Sequence, residues 1–262
     1  MSRFFTTRIA AFEGLYFITV KSNALHRRAD LTVYYPTQAK QMSGIPLVIL
    51  LHGVYGSHWS WVAQGNVHQT AQSLINAGQI RPMMLVMPSD GLFGDGSGYV
   101  PHREDNYETW IVEDVIEVVR EQFPNVTASS PLFIAGLSMG GFGALRLGAK
   151  YPQVFRGFSG LSSITHFNQL RDFVVDFATL QRDALEQDGV LDWLLKNKAM
   201  LPPFRFDCGE ADSLLEANRS LHESLMAHNI DHTYEEFAGA HAWEYWQTHI
   251  EKTLLFFSQC IH

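Results

Sequence analysis

Short apolar runs that stop in loop-forming residues constrain this chain more than any other feature. Leu47–Leu51 is apolar without a break and gives way to His52 and Gly53; similar short runs at 83–87, 132–135, 155–161 and 204–208 stop at Pro88, Gly136, a serine pair and Gly209. A run with no polar alternation marks a strand covered on both faces of a parallel sheet. Segments of helical period separate the runs. Trp110, Ile111, Val115, Val118, Val119 and Phe123 form one apolar stripe, with Glu113, Glu117, Arg120 and Glu121 opposite and Pro124 as the stop. Further helices are predicted over 67–77 and 214–227. Such alternation implies right-handed crossovers, an α/β fold with a mostly parallel central sheet, helices on both faces and a functional site at the carboxyl edge of the strands. Residues 12–20 and 31–35 read as strands with no helix between them, so the sheet is expected to start antiparallel.

Of 262 residues, 46% are hydrophobic, enough for one core that buries roughly 75% of the unfolded surface. A disordered or collagen-like chain is excluded, and one domain over 1–262 is expected. The 19 basic against 27 acidic residues, a net charge of -8, lack the basic excess that nucleic acid or an anionic membrane requires. Cys208 and Cys260 are too few for a disulfide scaffold or a four-thiolate metal site and read as reduced and structural. No stretch reaches the ~20 apolar residues of a membrane span. The apolar run at 9–20 is broken by Glu13 and Gly14 and has no small-residue cleavage site, which suggests a strand and a cytoplasmic protein. Residues 162–202, with Phe167, Phe173, Phe177 and Trp193 on helical patterning and no convincing core strand, read as a small helical insertion or cap.

Gly136, Leu137, Ser138, Met139 and Gly140 form the one G-x-S-x-G of the chain; average residue frequencies of ~7% would give about 0.1 by chance. An apolar strand precedes it and a helix-compatible segment, 141–150, follows. A residue on a sharp strand-to-helix turn has a strained backbone, so its neighbours must be small. The turn lifts the Ser138 hydroxyl into the site, and the Met139 N–H opens a helix where partial positive charge collects. The bland alternative is an inert serine in an ordinary glycine-rich turn.

A serine hydroxyl is a weak nucleophile at neutral pH; it needs a base, and the base needs an acid to fix its tautomer. Seven histidines follow Ser138. His222 and His228 fall in a charged helix pattern, His232 opens a strand, His249 lies in the last helix and His262 is terminal. His241 follows the strand Thr233–Phe237 and the turn residues Gly239 and Ala240, and precedes the amphipathic segment 243–257, so it is the candidate base. The strand at 204–208 leads into Gly209, Glu210, Ala211 and Asp212. Asp212 is the candidate acid and Glu210 the fallback, with an N-cap of the next helix as the other reading of Asp212.

The loop His52, Gly53, Val54, Tyr55, Gly56 is placed to supply a second oxyanion donor, the N–H of Val54. One such donor is worth roughly 3 kcal/mol in the transition state. His52 is expected to shape that loop. Tyr55, Trp59, Trp61 and Trp243 are candidate pocket walls, although tryptophans also serve as plain packing. The glycine-rich stretch 90–106 matches no phosphate-binding pattern and reads as a loop over the site's edge. Neither a metal site nor a cofactor is expected, because H-E-x-x-H and paired C-x-x-C are absent.

The segments LHGVYGSHWSW (51–61), NYETWIVEDVIEVV (106–119), AGLSMGGFGAL (135–145), DCGEAD (207–212) and GAHAWEYW (239–246) resemble the esterase branch of the α/β-hydrolases. That branch includes tributyrin-type esterases, S-formylglutathione hydrolases, feruloyl esterases and mycolyltransferases. The resemblance covers residues 45–257 and implies the α/β-hydrolase fold, Ser138 as nucleophile, Asp212 as acid, His241 as base, and Val54 and Met139 as oxyanion donors. Where the family more often has glycine before the last histidine and aspartate after it, this chain has Ala240 and Ala242.

The expectation is a serine carboxylesterase that cleaves short acyl esters through an acyl-enzyme, with a small-molecule ester as partner and homo-oligomerisation left open. Because the base must be neutral, activity is expected to fall below about pH 6 to 7. An S-formylglutathione hydrolase-like thioesterase, a feruloyl or acetyl carbohydrate esterase and an acyltransferase use the same groups and stay open. A catalytically silent binding module is the non-enzymatic alternative; it calls for a damaged triad, and the sequence shows none.

Overall fold

The apolar runs lack alternation because both of their faces are dry. In β4 (Leu47–Leu51), residues Leu47, Ile49 and Leu51 enter one apolar core while Val48 and Leu50 enter a second on the opposite face. β6 (Leu132–Leu137) divides likewise, with Leu132 and Ile134 on one side and Phe133, Ala135 and Leu137 on the other. This computed structural model describes residues 4–12, 14–175, 177–180 and 189–261. The other strands are β1 (Thr6–Phe12), β2 (Leu15–Lys21), β3 (Arg28–Tyr34), β5 (Met84–Pro88), β7 (Gly157–Leu161), β8 (Phe204–Gly209) and β9 (Thr233–Phe237). They form one sheet in the order β1-β2-β3-β5-β4-β6-β7-β8-β9. Strands β1, β2 and β3 pair antiparallel up to β5, and every pairing from β5 through β4 to β9 is parallel.

Helices α1 (Ser60–Ala63), α2 (Val67–Asn76) and α8 (Trp243–Gln259) cover the second core. The first is covered by α3 (Tyr107–Thr109), α4 (Val115–Gln122), α5 (Met139–Lys150), α6 (Val190–Lys196) and α7 (Leu215–Ala227). This layered arrangement is the α/β-hydrolase architecture. After β4 the chain goes to β5 on one side and later to β6 on the other, so the strand order reverses at β4. The crevice beyond the carboxyl ends of β4 and β6, where Leu51 and Gly136 are register partners, is where a ligand belongs in such a sheet.

Three local expectations change. Residues 12–20 hold the end of β1 and most of β2, because the chain turns back at Gly14, whose φ of 75° suits glycine. The run at 155–161 becomes strand only from Gly157. The helix expected from Trp110 onward begins with a π turn, Trp110–Asp114, between α3 and α4. That widened turn carries two buried polar anchors. The Trp110 indole donates to the Ser89 carbonyl at 2.7 Å, and the Asp114 carboxylate accepts from the Ser22 hydroxyl and the N–H groups of Asn23 and Ala24.

The buried Glu108 ties α3 to the helix behind Ser138. Its carboxylate accepts from Arg146 at 2.6 Å and from Lys150, both on α5, and from Tyr151 just beyond it. Burial alone would raise this carboxyl, but Arg146, Lys150 and Tyr151 hold its pKa below the ordinary value.

Within 162–202 the described residues form α6 and short 3₁₀ turns at Phe167–Asp172, Phe177–Thr179 and Lys198–Met200, and they carry no strand. Phe167, Leu170, Val190 and Leu194 seat the segment on the first core; residues 176 and 181–188 of the expected insertion lie outside the described residues. Among the described residues no helix is long and apolar enough to cross a membrane.

Candidate active site

Ser138 stands between β6 and α5 with φ 55° and ψ -119°. Such a conformation costs a non-glycine residue on the order of 1–3 kcal/mol and persists only where its surroundings force it. They do so here through close backbone approach. A Cβ on Gly136 would lie 2.2 Å from the Gly140 carbonyl oxygen, and one on Gly140 would lie 2.4 Å from that of Leu51. The Ser138 N–H donates to the Leu161 carbonyl at 2.9 Å, which fixes the turn to β7. The serine is buried, with 3% of its surface exposed.

The loops after β8 and β9 are stitched together. The N–H groups of Glu210 and Ala211 donate to the carbonyls of Phe237 and Gly239, both at 2.8 Å. This pairing brings Asp212 and His241 into contact, Oδ2 to Nδ1 at 2.8 Å, and places His241 Nε2 3.0 Å from Ser138 Oγ. A carboxylate can only accept, so Nδ1 carries the proton and Nε2 is left to accept from the serine hydroxyl. The second oxygen of Asp212, Oδ1, accepts the Leu214 N–H at 2.8 Å, so the residue both faces the histidine and caps the chain entering α7. Burial tends to raise the Asp212 carboxyl, yet the bonds from His241 and the Leu214 N–H bring it below its usual value. Glu210, the fallback acid, is exposed.

Val54 lines the same cleft as Ser138, and Met139 is the first residue of α5. Among the described residues neither main-chain N–H donates to a protein acceptor. His52 holds the loop beneath: its Nδ1 donates to the Gly53 carbonyl at 2.7 Å and its Nε2 accepts the Asp90 N–H at 3.3 Å. The glycine-rich stretch reaches this edge. A Cβ on Gly96 would strike the Met139 sulfur, and the Tyr55 N–H donates to the Asp95 carbonyl at 2.9 Å.

The cleft holds about 270 Å³. Tyr55 and Trp59 line it at the surface, 61% and 42% exposed, and the half-buried Trp243 lines it as well. Trp61 does not. It is fully buried, donates its indole N–H to the Leu51 carbonyl at 3.0 Å and meets Trp243 edge-on, so it braces a wall instead of forming one. The lining also includes two aromatic residues that the sequence had not marked as pocket walls, Phe173 and Trp246. Trp246 lies one turn into α8, where its spacing from His241 could have signalled it; Phe173, in the insertion, carries no local signal.

This sheet, with a hydroxyl, an imidazole and a carboxylate gathered at its switch point, defines an α/β-hydrolase. The family model described as "Putative esterase" matches residues 22–257, and the chain belongs to that esterase family of carboxylic ester hydrolases. An acetyl esterase from Caldicellulosiruptor saccharolyticus is 30% identical over 220 residues, 77% of this chain and 79% of that protein. A ferulic acid esterase structure superposes with a TM-score of 0.83 at 23% identity, covering 99% of this chain and 100% of that one. An S-formylglutathione hydrolase from Agrobacterium tumefaciens gives 0.77 at 20% identity, covering 98% and 99%. At these identities the two structures speak for the fold alone.

Proposed function

We propose that the chain is a serine carboxylesterase for short acyl esters, with Ser138, His241 and Asp212 as its catalytic triad. The observation that carries this reading is the unbroken hydrogen-bond chain from Asp212 through His241 to a strained Ser138. As Ser138 Oγ attacks the ester carbonyl, His241 Nε2 takes its proton, and Asp212 stabilises the imidazolium. The N–H groups of Val54 and Met139 receive the tetrahedral oxyanion. Nε2 then returns the proton to the departing alkoxide, leaving an acyl group on Oγ. Water, losing a proton to the same nitrogen, attacks that acyl group and restores the serine.

A small ester, with a short acyl group, suits the cleft, whose volume of about 270 Å³ must hold both halves of the substrate and falls just below the roughly 300–1,000 Å³ of pockets for drug-sized ligands. A panel of acetyl, butyryl and octanoyl aryl esters, methyl ferulate and S-formylglutathione tests the reading. The highest kcat/KM is expected for acetyl or butyryl, about tenfold or more above octanoyl. A preference for the thioester or the ferulate overturns the substrate assignment, and no turnover of any ester overturns the whole reading.

A further inference from the structure

Phe173 belongs to the 162–202 segment, yet its ring lies against the imidazole of His241. The two rings are stacked, with centroids 5.7 Å apart and planes inclined by 27°. Trp246 meets the same imidazole edge-on at 4.9 Å. The imidazole therefore touches two aromatic rings, and Phe173 lines the cleft together with Ser138.

The strand of chain that carries Phe173 is clamped from two other loops. The Tyr55 hydroxyl donates to the Phe173 carbonyl at 2.7 Å. Two residues on, the Val175 N–H donates to Asp95 Oδ2 at 2.9 Å. The Asp95 carbonyl in turn accepts the Tyr55 N–H at 2.9 Å, which closes a ring of bonds. The loop after β4, the glycine-rich loop and the insertion are distant in sequence, and all three meet here to hold one phenyl ring against the site.

The reaction chemistry decides which half of a substrate meets that ring. To return a proton, Nε2 must come within hydrogen-bond reach of the departing alkoxide oxygen, while the acyl carbon stays on Ser138 Oγ. A ring lying on the imidazole face is next to whatever that departing oxygen carries. We infer that Phe173, clamped by Tyr55 and Asp95, is the wall that selects the leaving alcohol, a specificity-determining role distinct from the acyl preference. The inference rests on the triad reading above.

Two ester series test it: acetyl esters of alcohols of increasing bulk, from methyl through n-butyl and benzyl to 1-naphthyl, and 1-naphthyl esters of acyl groups of increasing length. An apolar wall discriminates by about ten- to two-hundredfold per methylene. Phe173→Ala is expected to raise kcat/KM for the bulkiest acetyl ester relative to the methyl ester by about tenfold or more, and to leave the ranking within the acyl series unchanged. The double variant Tyr55→Phe, Asp95→Ala removes both side-chain bonds of the clamp and keeps the phenyl ring. It is expected to move the alcohol series the same way by a smaller factor, and it carries the test if Phe173→Ala fails to fold. An unchanged alcohol ranking in a folded variant, or a shift confined to the acyl series, overturns the inference. If the wild-type chain cleaves no member of either series, it is the triad reading that fails.

Discussion

Asp212→Asn is expected to lower kcat for an acetyl ester about 10⁴-fold with little change in KM. The reason is a proton in the wrong place. Oδ1 accepts the Leu214 N–H, a bond the amide oxygen of asparagine keeps, which turns the amide NH₂ toward His241. An NH₂ group donates, so Nδ1 must accept and its proton moves to Nε2. The imidazole then cannot accept from Ser138 Oγ, 3.0 Å away. Because the Leu214 bond survives, the loop keeps its shape and the folded protein can be assayed directly. Steady-state kinetics, with a thermal melt to confirm folding, decide the matter; a kcat within tenfold of the wild type contradicts the assigned role of Asp212.

Glu108→Gln is expected to destabilise the protein by about 3–5 kcal/mol, the usual cost of leaving a buried charge without its counter-ion. Arg146, with a side chain 1% exposed, loses its partner, and Lys150 at 22% loses part of its own. The pH dependence has a definite sign. The Glu108 pKa is depressed in the folded chain, so its stabilisation is present above the ordinary carboxyl value of 4.5 and disappears as the pH falls through the lower folded value. The difference between wild type and variant, read from urea unfolding, should be largest near neutrality and shrink in acid. A neutral-pH difference under about 1 kcal/mol shows that the pair behaves as a solvated one.

Strands β4 to β8 were legible because they are dry on both faces, a property visible in five consecutive apolar residues at β4. The π turn at Trp110–Asp114 was not, since its apolar stripe has the same spacing that a regular helix would show. The G-x-S-x-G turn could be read because any Cβ at 136 or 140 would collide with a main-chain carbonyl oxygen, a constraint that acts locally on the sequence. Asp212 presented two readings, and its two oxygens satisfy both. Trp59 and Trp61 looked equivalent, being two residues apart at a one-turn helix; which one turns inward depends on the Leu51 carbonyl, set by distant packing. Phe173 depends on three loops meeting in space, and no window of sequence holds that information.

The claim that Ser138 is activated by its neighbours is tested most directly by exposing the native protein to a fluorophosphonate and mapping the adduct by mass spectrometry. One phosphonyl group per chain is expected, on Ser138, formed as Oγ displaces fluoride. It should be absent from Ser138→Ala and from wild-type protein unfolded in urea. A folded wild-type protein that takes up no label, or a Ser138→Ala variant labelled to the same extent, contradicts the account.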